Sequence, residues 1–220
     1  MRIINAKDIT KSKGAYLIYA APGVGKTTAL GSLPGKTLVL DVDRTTGVLK
    51  GKANIDIAYI DNVNTMVSWE NALQTLLKGH KYDNIAVDNI SELERCILSE
   101  YGANGKNDGV PAMGDYQRMQ FKLVNSLRLL KSLNANIILT AWENVEQVTA
   151  PTGEQYSRFI PKIQAKICDN ICGLCDVVAH LEITSEGVRA CRLEATKNIY
   201  AKNQIDERKG CKAEEVIING

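Results

Sequence analysis

The sequence contains no long hydrophobic run, and neither sign of charge is in clear excess. No apolar stretch approaches the roughly 18 consecutive residues of a membrane-spanning helix, and residues 1–8 lack the apolar segment of a signal peptide. The 27 Lys and Arg residues nearly balance the 25 Asp and Glu residues, which leaves a net charge of +2. We therefore expect a cytoplasmic protein without a membrane partner, in which any nucleic-acid-binding surface is local.

Internal repeats, low-complexity segments and clear linkers are also missing. Of the 220 residues, 45% are hydrophobic and 24% are charged, which excludes wholesale disorder and provides a core without disulfide or metal staples. The six cysteines are expected to stay reduced in the cytosol. These features predict a single domain over residues 1–220.

Short apolar runs alternate with helical patterns through the first two thirds of the chain. Continuous apolar runs of this length are typical of parallel strands that are covered on both faces. Between them, apolar residues recur at helical spacing over residues 66–77 and over about residues 115–133. The alternation predicts an α/β fold with a mostly parallel central sheet flanked by helices. The predicted strands are Ala15–Ala20, Lys36–Asp41, Asn54–Tyr59, Asn84–Asp88 and Asn136–Thr140.

The remaining segments depart from this alternation. Residues 102–114 are too rich in Gly and Asn for regular structure. Residues 143–161 are predicted to form a long loop or a β-hairpin that turns at Thr152 and Gly153. Residues 175–181 and 188–196 read as two further strands, which we expect to be antiparallel.

A phosphate-binding loop follows the first predicted strand. Its glycines allow backbone N–H groups to converge on a β-phosphate, and the helix that begins near Lys26 adds its positive end. In this pattern the lysine spans the β- and γ-phosphates and the Thr27 hydroxyl ligates Mg²⁺. A turn that merely precedes Lys-Thr is the alternative. The expected ATP-binding residues are Ala21, Pro22, Gly23, Val24, Gly25, Lys26, Thr27 and Thr28, with Ala20 in place of the usual first glycine.

Asp88 ends a predicted strand and is the candidate for the carboxylate that holds the Mg²⁺ shell. From a neighbouring strand, it would hold the metal through water. The alternative is an aspartate that caps the next helix. The following residue, Asn89, cannot act as a base, so the water-activating carboxylate must lie elsewhere.

Asp41 and Asp43 lie where the second predicted strand ends. In an open parallel sheet this edge faces the ligand, and strand alternation would send both side chains to the same side. Asp43 is further out and better able to approach a γ-phosphate, so it is the first candidate for the general base. Glu92 and Glu143 are its competitors.

Together these motifs and the stretch Thr140–Asn144 resemble the core of RecA-like ATPases. They are similar in particular to short phage nucleotide-binding proteins, which include single-strand-annealing ATPases of phage recombination. The resemblance implies an ATPase that uses Mg²⁺ and ATP, with Asp43 in place of a water-activating glutamate. A phage-encoded protein of this kind would act in the host cytoplasm.

The resemblance also implies further functional residues and partners. A polar residue at a strand end senses the γ-phosphate in that family, and the matching stretch here contains Thr140, Trp142, Glu143 and Asn144. Two loops bind single-stranded DNA there, and they match residues 102–114 and 143–161. The implied partners are single-stranded DNA, further copies of the chain in a ring or filament, and a single-strand-binding protein. The basic residues in or beside these loops are Lys106, Arg158 and Lys162, and the residues matching a lysine presented to the neighbouring subunit's ATP are Lys202 and Arg208.

Three cysteines near the C-terminal third have a spacing that can bind an iron–sulfur cluster or zinc. Cys168, Cys172 and Cys175 follow a C-x₃-C-x₂-C pattern, with Cys191 or His180 as a fourth ligand. The alternative is the buried face of a helix, because isoleucines recur beside them at helical spacing. The helix is the favoured interpretation.

Two functions from different classes are compatible with the sequence. The first is a Mg²⁺–ATP-dependent ATPase that acts on single-stranded DNA in phage recombination or replication. The second is a nucleotide-gated protein that binds or loads other proteins, touches DNA little and hydrolyses ATP weakly; Asn89, the short Asp43 side chain and the weakly basic loops favour it. A small-molecule kinase would need an arginine-rich lid, which the sequence does not indicate.

Overall fold

The computed structural model describes residues 5, 7 and 13–217. The expectation that residues 1–8 lack a signal peptide falls almost entirely outside this part of the chain, and the single domain over residues 1–220 stays a prediction. Within the described residues, no helix is long and apolar enough to cross a membrane.

The described residues form an α/β structure around one sheet, as the alternation predicts. The strands run in the order β10-β8-β7-β1-β5-β4-β2-β3, with β6 paired to β5 and β9 paired to β7. The six strands from β7 to β3 are mutually parallel. The strands are β1 (Ala15–Ala20), β2 (Thr37–Asp41), β3 (Ile55–Tyr59), β4 (Asn84–Asp88), β5 (Asn136–Thr149), β6 (Gln155–Pro161), β7 (Val177–Ile183), β8 (Arg189–Arg192), β9 (Lys202–Asn203) and β10 (Gly210–Lys212).

Helices cover both faces of this sheet and enclose two cores. One core lies between the sheet and the longer helices α2 to α5, and the other contains α1 and the C-terminal 3₁₀ turn. Strands β1, β2 and β4 are buried along their whole length, because parallel strands covered on both faces have no solvent side. The helices are α1 (Lys26–Leu30), α2 (Thr65–Lys78), α3 (Ile90–Ala103), α4 (Met113–Lys131) and α5 (Ala165–Leu174), with 3₁₀ turns at Thr46–Leu49 and Ala213–Glu215.

Residues 143–161 form a β-hairpin and not a loop. Strand β5 continues past the sheet to Thr149, and β6 returns antiparallel to it. The turn contains Gly153, whose φ of 84° is readily adopted by glycine. The hairpin alternative, with its turn near Thr152 and Gly153, is therefore confirmed.

The C-terminal strands are only partly as expected. Strands β7 and β8 are antiparallel to each other, but β7 also pairs parallel to β1. The reason is that helix α5 precedes β7, and a helical crossover returns the chain in the same direction as β1. The central parallel sheet is therefore one strand wider than the sequence indicates.

Candidate functional site

A cavity of about 270 Å³ opens where the parallel strands end. Ligand sites of open α/β sheets lie at this edge, because polar loops leave the strands there. The cavity brings together the phosphate loop, the end of β4 and the segment after β2. Its lining residues are Pro22, Gly23, Gly25, Lys26, Thr27, Thr28, Asp43, Thr45, Val48, Asp88, Asn89 and Trp142.

The phosphate loop connects β1 to α1 with two glycines in the left-handed region. Gly23 has φ 81° and Gly25 has φ 109°, values that a side chain makes unfavourable. A Cβ at Gly25 would also collide with the side chain of Arg189. Helix α1 has five residues, so the backbone amides of the loop, more than the helix, are available to an anionic ligand.

Lys26, the first residue of α1, is buried although it carries an ammonium group. Its Nζ donates to the carbonyl oxygens of Ala20 and Ala21 at 3.0 and 3.1 Å. Burial lowers the pKa of Lys26, and the nearby carboxylates of Asp88, Asp43 and Glu143 partly oppose this. The ammonium group thus lies at the cavity with backbone carbonyls as its hydrogen-bond partners, which fits an anionic ligand.

Asp88 connects the phosphate loop to the middle of the sheet. The Thr27 hydroxyl donates to Asp88 Oδ2 at 2.7 Å, and the Thr140 hydroxyl on β5 donates to Asp88 Oδ1. Burial raises the pKa of Asp88, against the effect of these two hydrogen bonds. The sequence predicts that Asp88 lies on a strand next to β1. In the structure, β5 lies between β1 and β4. Thr140 on that intervening strand links the two.

Asp43 and Asn89 both line the cavity and are hydrogen-bonded to each other. Asn89 Nδ2 donates to Asp43 Oδ2 at 2.5 Å, and the Thr45 hydroxyl donates to Asp43 Oδ1 at 2.6 Å. The Asn89 side-chain oxygen accepts from the backbone N–H of Glu92 at 2.8 Å and caps α3. The capping alternative for Asp88 is therefore wrong, since Asn89 is the cap.

The other carboxylates near this edge have different environments. Asp41 is fully buried and accepts from the backbone N–H of Arg44 and the hydroxyl of Thr46. Strand β2 ends at Asp41, so the strand alternation that would give Asp41 and Asp43 a common direction does not extend to Asp43. Glu92 and Glu143 do not line the cavity.

Glu143 has a partner that the sequence did not indicate for it. Its carboxylate lies 2.6 Å from His180 Nε2 on β7. The His180 ring is stacked on Phe159 at 5.6 Å between centroids, and its buried Nδ1 has no hydrogen-bond partner among the described residues. His180 therefore positions Glu143.

The residues at the cavity fit Mg²⁺ and ATP. Two glycines leave the loop free of side chains where phosphates would approach. Lys26 supplies a buried cation, and the oxygens of Thr27 and Asp88 are the hard ligands that Mg²⁺ prefers, either directly or through water.

The fold and this site together define a P-loop nucleotide-binding protein. Residues 12–205 match a family described as an AAA domain, and the chain belongs to this family of P-loop ATPases. Membership suggests ATP binding, Mg²⁺ use and ATPase activity. No curated protein matches the chain.

The two basic residues expected to act on a neighbouring subunit make bonds within their own chain. Lys202 Nζ donates to three carbonyls at the end of α5: those of Cys172, Gly173 and Cys175. Arg208 contacts Asp206 and donates to the carbonyl of Glu215. A role in trans would require either side chain to leave these partners, and it stays a prediction.

The basic residues expected near DNA are on separate elements. Lys106 is exposed in the loop between α3 and α4. Arg158 on β6 forms an ion pair with Glu146, with Nη2 2.5 Å from Oε1. Lys162 is exposed after β6, and its Nζ lies 5.8 Å from the ring centroid of Trp142 at the cavity. Asn144 is exposed on β5, opposite Ile160 in the hairpin.

The cysteine-rich segment is the helix α5, as the favoured interpretation predicts. Ile167, Ile171 and Cys172 form its buried face. Cys191 lies opposite Cys211 across β8 and β10. Within residues 13–217, no cluster of His, Cys, Asp and Glu side chains is arranged to bind a metal ion.

Asn89 and Thr45 bond to Asp43 at the site, and the sequence predicts neither contact. For Asn89 the sequence predicts only that it cannot act as a base. The signal for its role as the cap of α3 was present, because Asn89 is followed three residues later by Glu92, a spacing typical of a helix N-terminus. Its contact with Asp43 depends on the fold and has no sequence signal.

Proposed function

We propose that this protein binds Mg²⁺–ATP at the cavity and hydrolyses the γ-phosphate with Asp43 as the general base. The observation that carries the proposal is that Thr27 and Asp88, which are hydrogen-bonded to each other, line one cavity together with Lys26. Asp43 lines the same cavity. Such a combination of a cation, a metal-ligating hydroxyl and a buried carboxylate is what phosphoryl transfer requires.

Each residue has a separate task in this mechanism. Lys26 exchanges its bonds to the loop carbonyls for the β- and γ-phosphate oxygens. Thr27 and Asp88 would hold the Mg²⁺ shell, and the ion would supply positive charge to stabilise the phosphate oxygens. Asp43 accepts the proton of the attacking water, while Asn89 and Thr45 fix the direction of its carboxylate.

We further propose that the protein is of the RecA-like type and acts on single-stranded DNA in phage recombination or replication. The hairpin of β5 and β6 supports this, because β5 carries Trp142 at the cavity and Thr140 in contact with Asp88, and it continues into the hairpin. Lys162 follows the hairpin. ATP at the cavity and DNA on the hairpin would then share one strand.

Binding of single-stranded DNA should be stronger with ATP and should weaken steeply with salt. We expect the double variant Arg158→Ala, Lys162→Ala to reduce the slope of log affinity against log salt by about 1–2 units, at roughly 0.7 per phosphate contact. Fluorescence anisotropy with a labelled oligonucleotide measures this. The double variant Lys78→Ala, Arg192→Ala removes the same charge elsewhere and should keep the slope.

A nucleotide-gated protein that binds or loads another protein is the second candidate. The ion pair of Arg158 with Glu146 favours it, because the pair reduces the positive charge of the hairpin. If the protein binds ATP but does not bind single-stranded DNA in its presence, the protein-loading function is favoured over the DNA-dependent ATPase.

We also propose that copies of the chain assemble head to tail and complete each other's ATP site with Lys202. Such a contact is heterologous and produces rings or filaments. A mixture of Lys202→Ala and Lys26→Ala subunits, each inactive alone, should then regain part of the ATPase activity. If Lys202→Ala by itself has normal ATP turnover and only a lower melting temperature, the proposed role in trans is wrong. Lys202 would then act only as a cap of α5.

A further inference from the structure

Arg189 is held against the phosphate loop by a strand from the far end of the chain. Strand β8 is antiparallel, so its first residue lies opposite Ile183, at the edge where the parallel strands end. Arg189 Nε donates to the carbonyl oxygen of Val24 at 3.0 Å. The side chain packs over Gly25, where any Cβ would collide with it. The guanidinium is therefore fixed beside the loop.

Arg189 is exposed, and no acidic side chain in the part of the chain that the structure describes forms an ion pair with this guanidinium. Arg192, on the same strand, differs in this respect, because its Nε pairs with Glu182 Oε1 at 2.8 Å. The hydrogen bond of Arg189 uses Nε, so both of its Nη groups are available to a ligand at the phosphate loop.

The order of the strands decides which part of a nucleotide would meet Arg189. Asp43 follows β2 and Asp88 ends β4, both on one side of β1, and Arg189 begins β8 on the other side. The γ-phosphate and Mg²⁺ belong on the side of the aspartates. The opposite side of the loop therefore faces the part of the nucleotide nearer to the ribose.

We propose that Arg189 binds the α-phosphate of the nucleotide through its Nη groups. This inference rests on the proposed binding of ATP at the phosphate loop. Because ATP and ADP share the α-phosphate, Arg189 contributes to the affinity for both nucleotides and does not discriminate between them. A guanidinium suits this task, since it donates several hydrogen bonds to phosphate oxygens while Nε keeps its bond to Val24.

Titration calorimetry with ATP and with ADP, in the presence of Mg²⁺, tests the inference on the full chain. We expect Arg189→Ala to weaken the binding of both nucleotides by the same factor, about 10- to 100-fold, as for the loss of a charge-assisted hydrogen bond. Arg192→Ala removes an arginine from the same strand and should bind both nucleotides as the unmodified protein does. A loss confined to ATP would place Arg189 at the γ-phosphate and overturn the inference.

A glutamine variant separates phosphate binding from support of the loop. Arg189→Gln keeps a donor that can reach the Val24 carbonyl but removes the charge. We expect it to bind as weakly as Arg189→Ala; unchanged affinity would mean that Arg189 only supports the loop. Normal nucleotide affinity of Arg189→Ala would overturn the inference about Arg189 but not the proposed function. If the unmodified protein binds neither ATP nor ADP, both the inference and the proposed function are overturned.

Discussion

Lys26→Ala is expected to lose tight ATP binding, with the dissociation constant rising at least about 100-fold. The substitution removes the buried cation that would span the β- and γ-phosphates. Lys26 Nζ donates to two carbonyl oxygens of the loop in the unmodified protein. The variant therefore also removes the hydrogen-bond donor of these two carbonyls. Titration calorimetry with ATP and Mg²⁺ measures the loss.

A control substitution and a folding measurement make this result interpretable. Lys78→Ala removes a lysine from the exposed end of α2 and should keep full ATP affinity. Circular dichroism should show that Lys26→Ala keeps its helix and strand content. Unchanged ATP affinity in a folded Lys26→Ala variant would show that the phosphate loop does not bind the nucleotide.

Asp43→Asn should bind ATP nearly as well as the unmodified protein but turn it over about 10²- to 10⁴-fold more slowly. The amide cannot accept the proton of the attacking water. In the unmodified protein the Asp43 carboxylate accepts hydrogen bonds from both Asn89 and Thr45. An asparagine at this position has only one side-chain oxygen with which to accept them. Phosphate release under saturating ATP measures the rate.

Glu92→Gln and Glu143→Gln test the competing candidates for the base. Neither glutamate lines the cavity, so both variants should keep most of the activity. Asp108→Asn, in an exposed loop, serves as the matched control. Full ATP turnover by Asp43→Asn would exclude Asp43 as the general base. A large loss of turnover in one of the glutamate variants would identify that glutamate as the base.

The parts of the fold and site that follow local rules could be predicted from the sequence. The phosphate loop is contiguous, and its glycines, lysine and threonine each have a local reason for their position. The parallel strands are short apolar runs, whose burial on both faces follows from composition. The nucleotide-binding loop and the α/β class were therefore predictable.

The contacts that complete the site join residues far apart in the chain, and no local pattern encodes them. Thr140 reaches Asp88 because β5 lies between β1 and β4, a strand order that the sequence does not state. The bond of Arg189 to the phosphate loop spans 165 positions. Such contacts depend on strand order and register, which only the folded chain determines.

Strand β5 has a mechanical consequence of its own. Its first six residues are buried in the centre of the sheet, and the remaining residues form one arm of the hairpin. From Thr140 to the hairpin turn the strand has a contour of about 30 Å, at roughly 3.3 Å per residue. A tilt of about 5° at the Asp88 contact would move the far end by about 2.6 Å over that length. The hairpin arm is thus continuous with the strand that contacts Asp88 beside the phosphate loop, so a tilt of that strand at the contact would displace the hairpin turn.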